Sequence, residues 1–274
     1  MIASKHYFNN KTAIVTGSSG GIGKETAIQL LKLGANVVIN GRYADKLDLL
    51  NKELSNYQNQ VLMYPGDISD PEIAQGLVRE TIKKFNKIDI LINNAGVSMR
   101  GNLGELNPEV VRSVFETNVF GAVYLTTAAL EHIRKVSGHI IFISSVVGIR
   151  GLPGLSIYSA SKMSLKAIAE SLRIEETSAN IHVGLIQVGF TEIEHNKKVI
   201  AADGSLITLS DRSKYKAQTK KYVADAILKN ILKRKFITTL SAIGKLNSFL
   251  QSLFPSLVEW ILISSTEKIK EKSR

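Results

Sequence analysis

Short apolar runs that alternate with stretches of helical periodicity constrain the fold of this chain most tightly. Ala13-Ile14-Val15, Val37-Val38-Ile39-Asn40, Val61-Leu62-Met63-Tyr64, Ile88 to Ile92, His139 to Ile143 and Ile181 to Ile186 read as strands. A strand with one wet face would alternate apolar and polar residues, and these runs do not, so both faces must be covered. Between them lie helical patterns. Ile22, Thr26, Ala27, Leu30 and Leu31 share one face that stops at Leu33-Gly34, and Ser69 or Asp70 can cap a helix opened by Pro71. A long helical region carries Thr117 to Gly121 on to about Val136. Another runs from Tyr158 to about Ala179 and buries Leu165, Ile168, Ala169 and Leu172, and a last one spans about Tyr222 to Arg234. Strand and helix in alternation predict an α/β fold, a doubly wound parallel sheet with helices on both faces.

The first strand ends in Thr16-Gly17-Ser18-Ser19-Gly20-Gly21-Ile22-Gly23, directly before a helix. Backbone amides in such a turn, together with the helix N-terminus, can bind a pyrophosphate. The spacing is Gly-x-x-x-Gly-x-Gly. After the second strand comes Gly41-Arg42, where an acidic residue would bind a ribose 2′-hydroxyl. An arginine accommodates a 2′-phosphate instead, so the phosphorylated dinucleotide NADP is expected over NAD.

Tyr158-Ser159-Ala160-Ser161-Lys162 places a phenol and an ammonium one turn apart on one helix face. A free tyrosine titrates near 10 and is a poor acid or base at neutral pH. A lysine four residues on stabilises the phenolate and makes the ring oxygen usable in proton transfer. Composition narrows the chemistry further. There is no cysteine, which excludes disulfides, thiolate metal sites and cysteine nucleophiles. The net charge is +11, from 35 basic and 24 acidic residues, but the lysines are dispersed and no aromatics interleave with them. That pattern reads as a basic solvated surface and not as a nucleic-acid groove. The first eleven residues hold no apolar core of signal-peptide length, and the expected location is cytoplasmic.

Thr16-Gly17-x-x-x-Gly21-x-Gly23, Asn93-Asn94-Ala95-Gly96, Asn118, Ser145 and Tyr158-x-x-x-Lys162 together resemble the short-chain dehydrogenase/reductase family, over roughly residues 10 to 195. The resemblance implies one Rossmann-type domain, a nicotinamide cofactor and carbonyl/alcohol redox chemistry of the carbonyl reductase type. It implies that Tyr158 is the acid/base, that Ser145 orients the substrate oxygen, and that Lys162 tunes Tyr158 and holds the nicotinamide ribose. Asn118 would hold a water that links Lys162 to solvent. Cofactor contacts are expected from Gly17, Ser19, Gly21, Ile22, Gly23, Arg42, Asp67, Ile68, Asn94, Ala95, Gly96, Tyr158, Lys162, Val188, Gly189 and Thr191. No metal is expected. Members commonly form dimers or tetramers through the helices near Asn118 and Tyr158, so a homodimer or homotetramer is expected. Two positions depart from the family pattern. Val188-Gly189-Phe190-Thr191 replaces the usual Pro-Gly loop, and Gly20 stands where many NADP-dependent members carry a basic residue, which leaves Arg42 to read the phosphate with Lys24 nearby.

The reading divides the chain into a Rossmann-type domain over 1–240, with an irregular, charged lid at about 190–220, and an apolar extension over 241–274. In the extension Leu246, Phe249, Leu250, Leu253 and Phe254 fall at helical spacing before Pro255, and Leu257, Val258, Ile261 and Leu262 follow. The uncharged run from Leu246 to Val258 is shorter than the roughly 20 residues of a membrane span. It can pack on its own domain or a partner subunit, cap an apolar pocket, or lie on a membrane surface. Packing is the reading expected here. Weak similarity of this tail to lipid and steroid ketone reductases implies a hydrophobic carbonyl substrate. The rival readings are an NAD-dependent alcohol dehydrogenase of the same fold, a non-catalytic nucleotide sensor, and a nucleic-acid binder.

Overall fold

Two apolar layers, one on each face of a single parallel sheet, hold the chain together in a computed structural model that describes residues 6–192, 197–209 and 217–266. In chain order the elements are β1 (Thr12–Val15), α1 (Gly21–Lys32), β2 (Asn36–Gly41), α2 (Ala44–Glu53), β3 (Val61–Pro65), α3 (Pro71–Phe85) and β4 (Ile90–Asn93). There follow α4 (Pro108–Phe115), a π-helical segment (Glu116–Phe120), α5 (Gly121–Arg134), β5 (His139–Ser145), α6 (Ser156–Glu175) and β6 (His182–Val188). The chain continues with β7 (Lys198–Ile200), β8 (Leu206–Thr208), α7 (Lys220–Lys233), β9 (Ile237–Thr239), α8 (Ala242–Leu253) and α9 (Pro255–Ser264).

The seven-stranded sheet has the order β3-β2-β1-β4-β5-β6-β9, and every pairing in it is parallel. Successive residues of a strand point to opposite faces, and the core divides accordingly. Ala13, Val15, Val37, Ile39, Ile90, Ile92, Ile141 and Ile143 face one layer, closed by Leu30 and Leu31 of α1 and by Val223, Ile227 and Ile231 of α7. Ile14, Val38, Leu91, Ile140, Phe142, Val183 and Leu185 face the other, closed by α3, α5 and α6. The strand order reverses between β1 and β4, and the crevice outside the carboxyl ends of such a pair is where open α/β sheets bind ligands. Asp70 accepts from the Glu72 backbone N–H, the cap expected before Pro71.

Below the sheet, at the amino ends of β5 and β6, His139 and His182 are register partners buried in a single hydrogen-bonded chain. The Tyr7 hydroxyl lies 2.6 Å from His139 Nε2, the two Nδ1 atoms are 3.0 Å apart, and His182 Nε2 is 2.9 Å from the Lys235 carbonyl. Only one proton arrangement satisfies all three contacts with neutral rings: Tyr7 O–H to His139, His139 Nδ1–H to His182, and His182 Nε2–H to Lys235. Burial pushes the rings down, to about 3 for His139 and about 4 for His182. An unfolded histidine titrates near 6.5, so below that pH the unfolded chain binds protons that the folded chain refuses. Stability is therefore expected to fall as pH drops from about 6.5 towards 4, by up to about 1.4 kcal/mol per pH unit for each ring. Denaturant unfolding at neutral and mildly acidic pH measures this, and His139→Gln should flatten the slope.

The structure corrects one expectation and adds to two others. The lid is not irregular throughout: β7 and β8 form an antiparallel hairpin, while 193–196 and 210–216 lie outside the described residues. A short edge strand, β9, precedes the apolar extension. The extension itself packs little on its own domain. In α8 and α9 only Gly244 and Val258 are buried, while Leu246, Phe249, Leu253, Phe254, Leu257 and Trp260 are exposed. No helix among the described residues is long and apolar enough to cross a membrane.

Candidate active site

The glycine turn after β1 is built on backbone approaches that a side chain would block. Gly17 and Gly21 have φ of +61° and +59°, a region that favours glycine. A Cβ on Gly23 would stand 2.4 Å from the Gly17 carbonyl oxygen and 2.6 Å from Asn94 Nδ2, so the helix start presses directly on the turn. A Cβ on Gly21 would meet nothing within 4 Å, so the turn is open at that point. Thr16 and Asn94 brace it. The Thr16 hydroxyl accepts from the backbone N–H groups of Asn94 and Ala95, each at 3.0 Å, and the Asn94 amide donates to the Thr16 and Gly17 carbonyls. Ile22 packs against the first core layer and fixes the start of α1. This open glycine cradle at a helix N-terminus, on the switch-point edge of the sheet, fits the pyrophosphate of a dinucleotide.

The ends of β2 and β3 flank the cradle. Ser19 lies against Gly41, where a Cβ would come 3.2 Å from its hydroxyl. Arg42 is exposed, 3.7 Å from the Asp67 carboxylate and 5.7 Å from the Tyr43 ring centre. Asp67 in turn accepts from the Ser69 backbone and hydroxyl. Ile68 is buried, and a Cβ on Gly121 would meet it at 2.9 Å. Lys24 is held away from this group by its ion pair with Glu53, at 2.6 Å.

Nearer the middle of the sheet, Tyr158 and Lys162 occupy the first turns of α6. The Lys162 ammonium is 5.9 Å from the Tyr158 ring centre and donates to the Ile143 carbonyl at 2.9 Å. Burial lowers its pKa to about 8, and the charge of Lys197 adds to the effect. Asn118 sits in the π-helical segment, a distortion frequent at functional sites. Its Oδ1 accepts from Val97 N–H at 2.7 Å, and its Nδ2 donates to the Val97 carbonyl and to Ser161 Oγ. Ser161 Oγ donates to the Tyr158 carbonyl, so Asn118 is tied to α6 through that serine. Gly96 is the meeting point. A Cβ there would lie 3.0 Å from Asn118 Oδ1 and 3.3 Å from Lys162 Nζ.

Ser145 closes β5. Its hydroxyl has two long contacts, donating to the Val188 carbonyl at 3.3 Å and accepting from Val147 N–H at 3.4 Å. Such weak contacts leave it able to turn to a better partner. Val188 ends β6. A Cβ on Gly189 would touch Ser241 at 3.1 Å, and the Thr191 hydroxyl donates to the Gly189 carbonyl at 3.3 Å. The loop that departs from Pro-Gly is thus pinned by packing and by Gln218, which donates from its backbone to Phe190 and from its side chain to Leu240.

Several supporting residues had no role expected of them from the sequence. Thr16, Ser161 and Ser144, whose hydroxyl donates to the Lys162 carbonyl, are small hydroxyl residues inside the motifs, and their positions beside Gly17, Tyr158 and Ser145 were the available signal. A further group carried no motif at all. Met99, Val110 and Val114 are buried together, with Val97, Ile157 and Tyr158 packed against them, and Ile200 of the hairpin covers them. Backbone bonds from Arg100 N–H to the Ile200 carbonyl and from Ile200 N–H to the Ser98 carbonyl hold the hairpin there. The wall beside Tyr158 is therefore apolar.

A profile described as short chain dehydrogenase matches residues 11–204. Dehydrogenase/reductase SDR family member 7B of Mus musculus is 32% identical over 273 residues, covering 97% of this chain and 84% of that protein. The Danio rerio protein of the same name is 33% identical over 267 residues, covering 94% and 86%. Among solved structures, a short-chain dehydrogenase from Streptomyces avermitilis shares the fold with a TM-score of 0.78 at 24% identity, covering 94% of this chain and 98% of that one. An alcohol dehydrogenase from the archaeon Thermococcus sibiricus, complexed with 5-hydroxy-NADP, shares it with a TM-score of 0.74 at 22% identity, covering 85% and 97%.

Proposed function

Because this chain belongs to the short-chain dehydrogenase/reductase family and is an oxidoreductase, we propose that it interconverts a hydrophobic ketone and its secondary alcohol with NADP(H). The family uses NAD(P)(H); the choice of the phosphorylated form is our reading. The observation that carries the proposal is the convergence at Gly96, where the nucleotide-side loop of β4 meets the amide of Asn118 and the amine of Lys162 at one point.

Gly17, Ser19, Gly21, Ile22 and Gly23 would hold the pyrophosphate, and Arg42 the 2′-phosphate. Asp67, Ile68, Asn94, Ala95 and Gly96 would line the nucleoside portion, with Val188, Gly189 and Thr191 beside the nicotinamide. When bound, the cofactor supplies a hydride to the carbonyl carbon or takes it back. The remaining work belongs to the protein. As the carbonyl oxygen gains charge it needs a donor within hydrogen-bond reach, and Tyr158 gives it the phenolic proton. Ser145 donates a second hydrogen bond that orients the same oxygen. The Lys162 ammonium, held on the Ile143 carbonyl, stabilises the negative charge left on Tyr158, and a proton from solvent restores the phenol. Asn118 keeps α6 at its distance from the β4 loop. The apolar group of Met99, Val110, Val114 and Ile200 around Tyr158 supports a substrate with a hydrocarbon body.

Arg42→Asp tests the nucleotide assignment. Losing a charge-assisted contact and adding a carboxylate beside the phosphate should lower the NADP-to-NAD ratio of kcat/KM by about tenfold or more. Titration with both nucleotides measures it, and an unchanged ratio would show that another residue reads the 2′-phosphate.

A further inference from the structure

The C-terminal helices pack beside the segment that follows Ser145 and leave an apolar face uncovered. In α8, Leu246, Phe249 and Leu253 are exposed on a helical stripe; in α9, Leu257 and Trp260 continue it past Phe254 at the bend. An exposed apolar patch of this continuity marks an interaction surface. Its position is fixed by contacts to the segment after Ser145. A Cβ on Gly244 would stand 2.6 Å from Val146, and Arg150 donates to Gln251 Oε1 at 2.6 Å and to the Pro255 carbonyl at 3.2 Å.

Charge selects among the occupants such a face could have. Glu259 is the one acidic residue of the two helices, and it is held to Arg150 at 3.5 Å. Lys245 is exposed beside the stripe. The sequence that follows, 267–274, carries Lys268, Lys270, Lys272 and Arg274 against Glu267 and Glu271, and the whole chain carries +11. A second copy carries the same net charge of +11, so two copies repel. An anionic bilayer brings the opposite charge and an apolar layer together, and tryptophan and phenylalanine suit its interface.

We propose that α8 and α9 dock this protein in the surface of an anionic lipid bilayer, which brings the segment after Ser145 close to the lipid. The helices lie in the interface plane and do not span. The consequence for substrate, that a hydrophobic ketone is taken from the membrane, rests on the proposed function; the docking does not.

Trp260 is the sole tryptophan of the chain and is 66% exposed, so its fluorescence reports docking without any activity measurement. With the full-length protein, vesicles of mixed phosphatidylcholine and phosphatidylglycerol should shift its emission to the blue, and lipids brominated in the acyl chain should quench it. Pure phosphatidylcholine should bind more weakly, and added salt should reduce the difference. Phe249→Ser should weaken partitioning by about tenfold or more. Emission indifferent to either vesicle would overturn the proposal. So would emission that shifts with protein concentration alone, together with dimers on gel filtration, since a second copy would then cover the face.

Discussion

Tyr158→Phe should lower kcat for carbonyl reduction by about two to four orders of magnitude, the usual contribution of a positioned general acid. That corresponds to about 3–5 kcal/mol of transition-state stabilisation. The substitution removes one oxygen and leaves the ring packed beside Met99 and Val114, so the apolar wall and the start of α6 are retained. Lys162 keeps its bond to the Ile143 carbonyl. Nucleotide affinity should therefore change little, because the cradle at Gly17 to Gly23 is braced by Thr16 and Asn94 independently of the phenol. A parallel loss of nucleotide affinity and turnover would move Tyr158 from proton transfer to cofactor binding.

Gly23→Ala should have the second large effect, and on the opposite quantity. The added methyl would lie 2.4 Å from a backbone oxygen of Gly17, which cannot move without opening the turn, and 2.6 Å from the Asn94 amide that ties the turn to β4. Overpacking of this kind destabilises by about 1–3 kcal/mol. It should also weaken nucleotide binding by at least about tenfold, since the amides that receive the phosphates are displaced with the turn. Gly21→Ala separates strain from crowding. Space is open there, so only the positive φ opposes the methyl, at about 1–2 kcal/mol. Thermal unfolding and nucleotide titration of both variants check this, and a loss of nucleotide affinity no larger for Gly23→Ala than for Gly21→Ala would contradict it.

What could be read from sequence follows the range of the forces involved. Strands buried on both faces announce themselves as apolar runs because every residue meets a core layer, and the parallel sheet was legible for that reason. β9 was missed because Ile237-Thr238-Thr239 is short, two-thirds polar and at the edge, where one neighbour suffices. The hairpin of Lys198–Ile200 and Leu206–Thr208 was missed because it is stabilised by a distant segment, Ser98 to Arg100, and not by its own pattern. The π-helical turn at Asn118 has no compositional signal, since its residues also suit an α-helix. The motif residues of the candidate site could be picked out because their spacing is local. The Arg42–Asp67 contact and the apolar wall at Tyr158 join segments far apart in the chain, and only the fold brings them together. What covers the extension was not legible for a different reason. Its periodicity gave two helices, but helical spacing does not say what covers the apolar face.

In the proposed reaction a hydride moves to a carbonyl carbon while Tyr158 supplies the proton to its oxygen. Incubation with NADPH carrying deuterium at the transferable position and a long-chain ketone, followed by mass spectrometry of the alcohol, tests it most directly. One deuterium is expected on the carbinol carbon with the unaltered protein and almost none with Tyr158→Phe. Alcohol formed without the label, or labelled equally well by Tyr158→Phe, would contradict it.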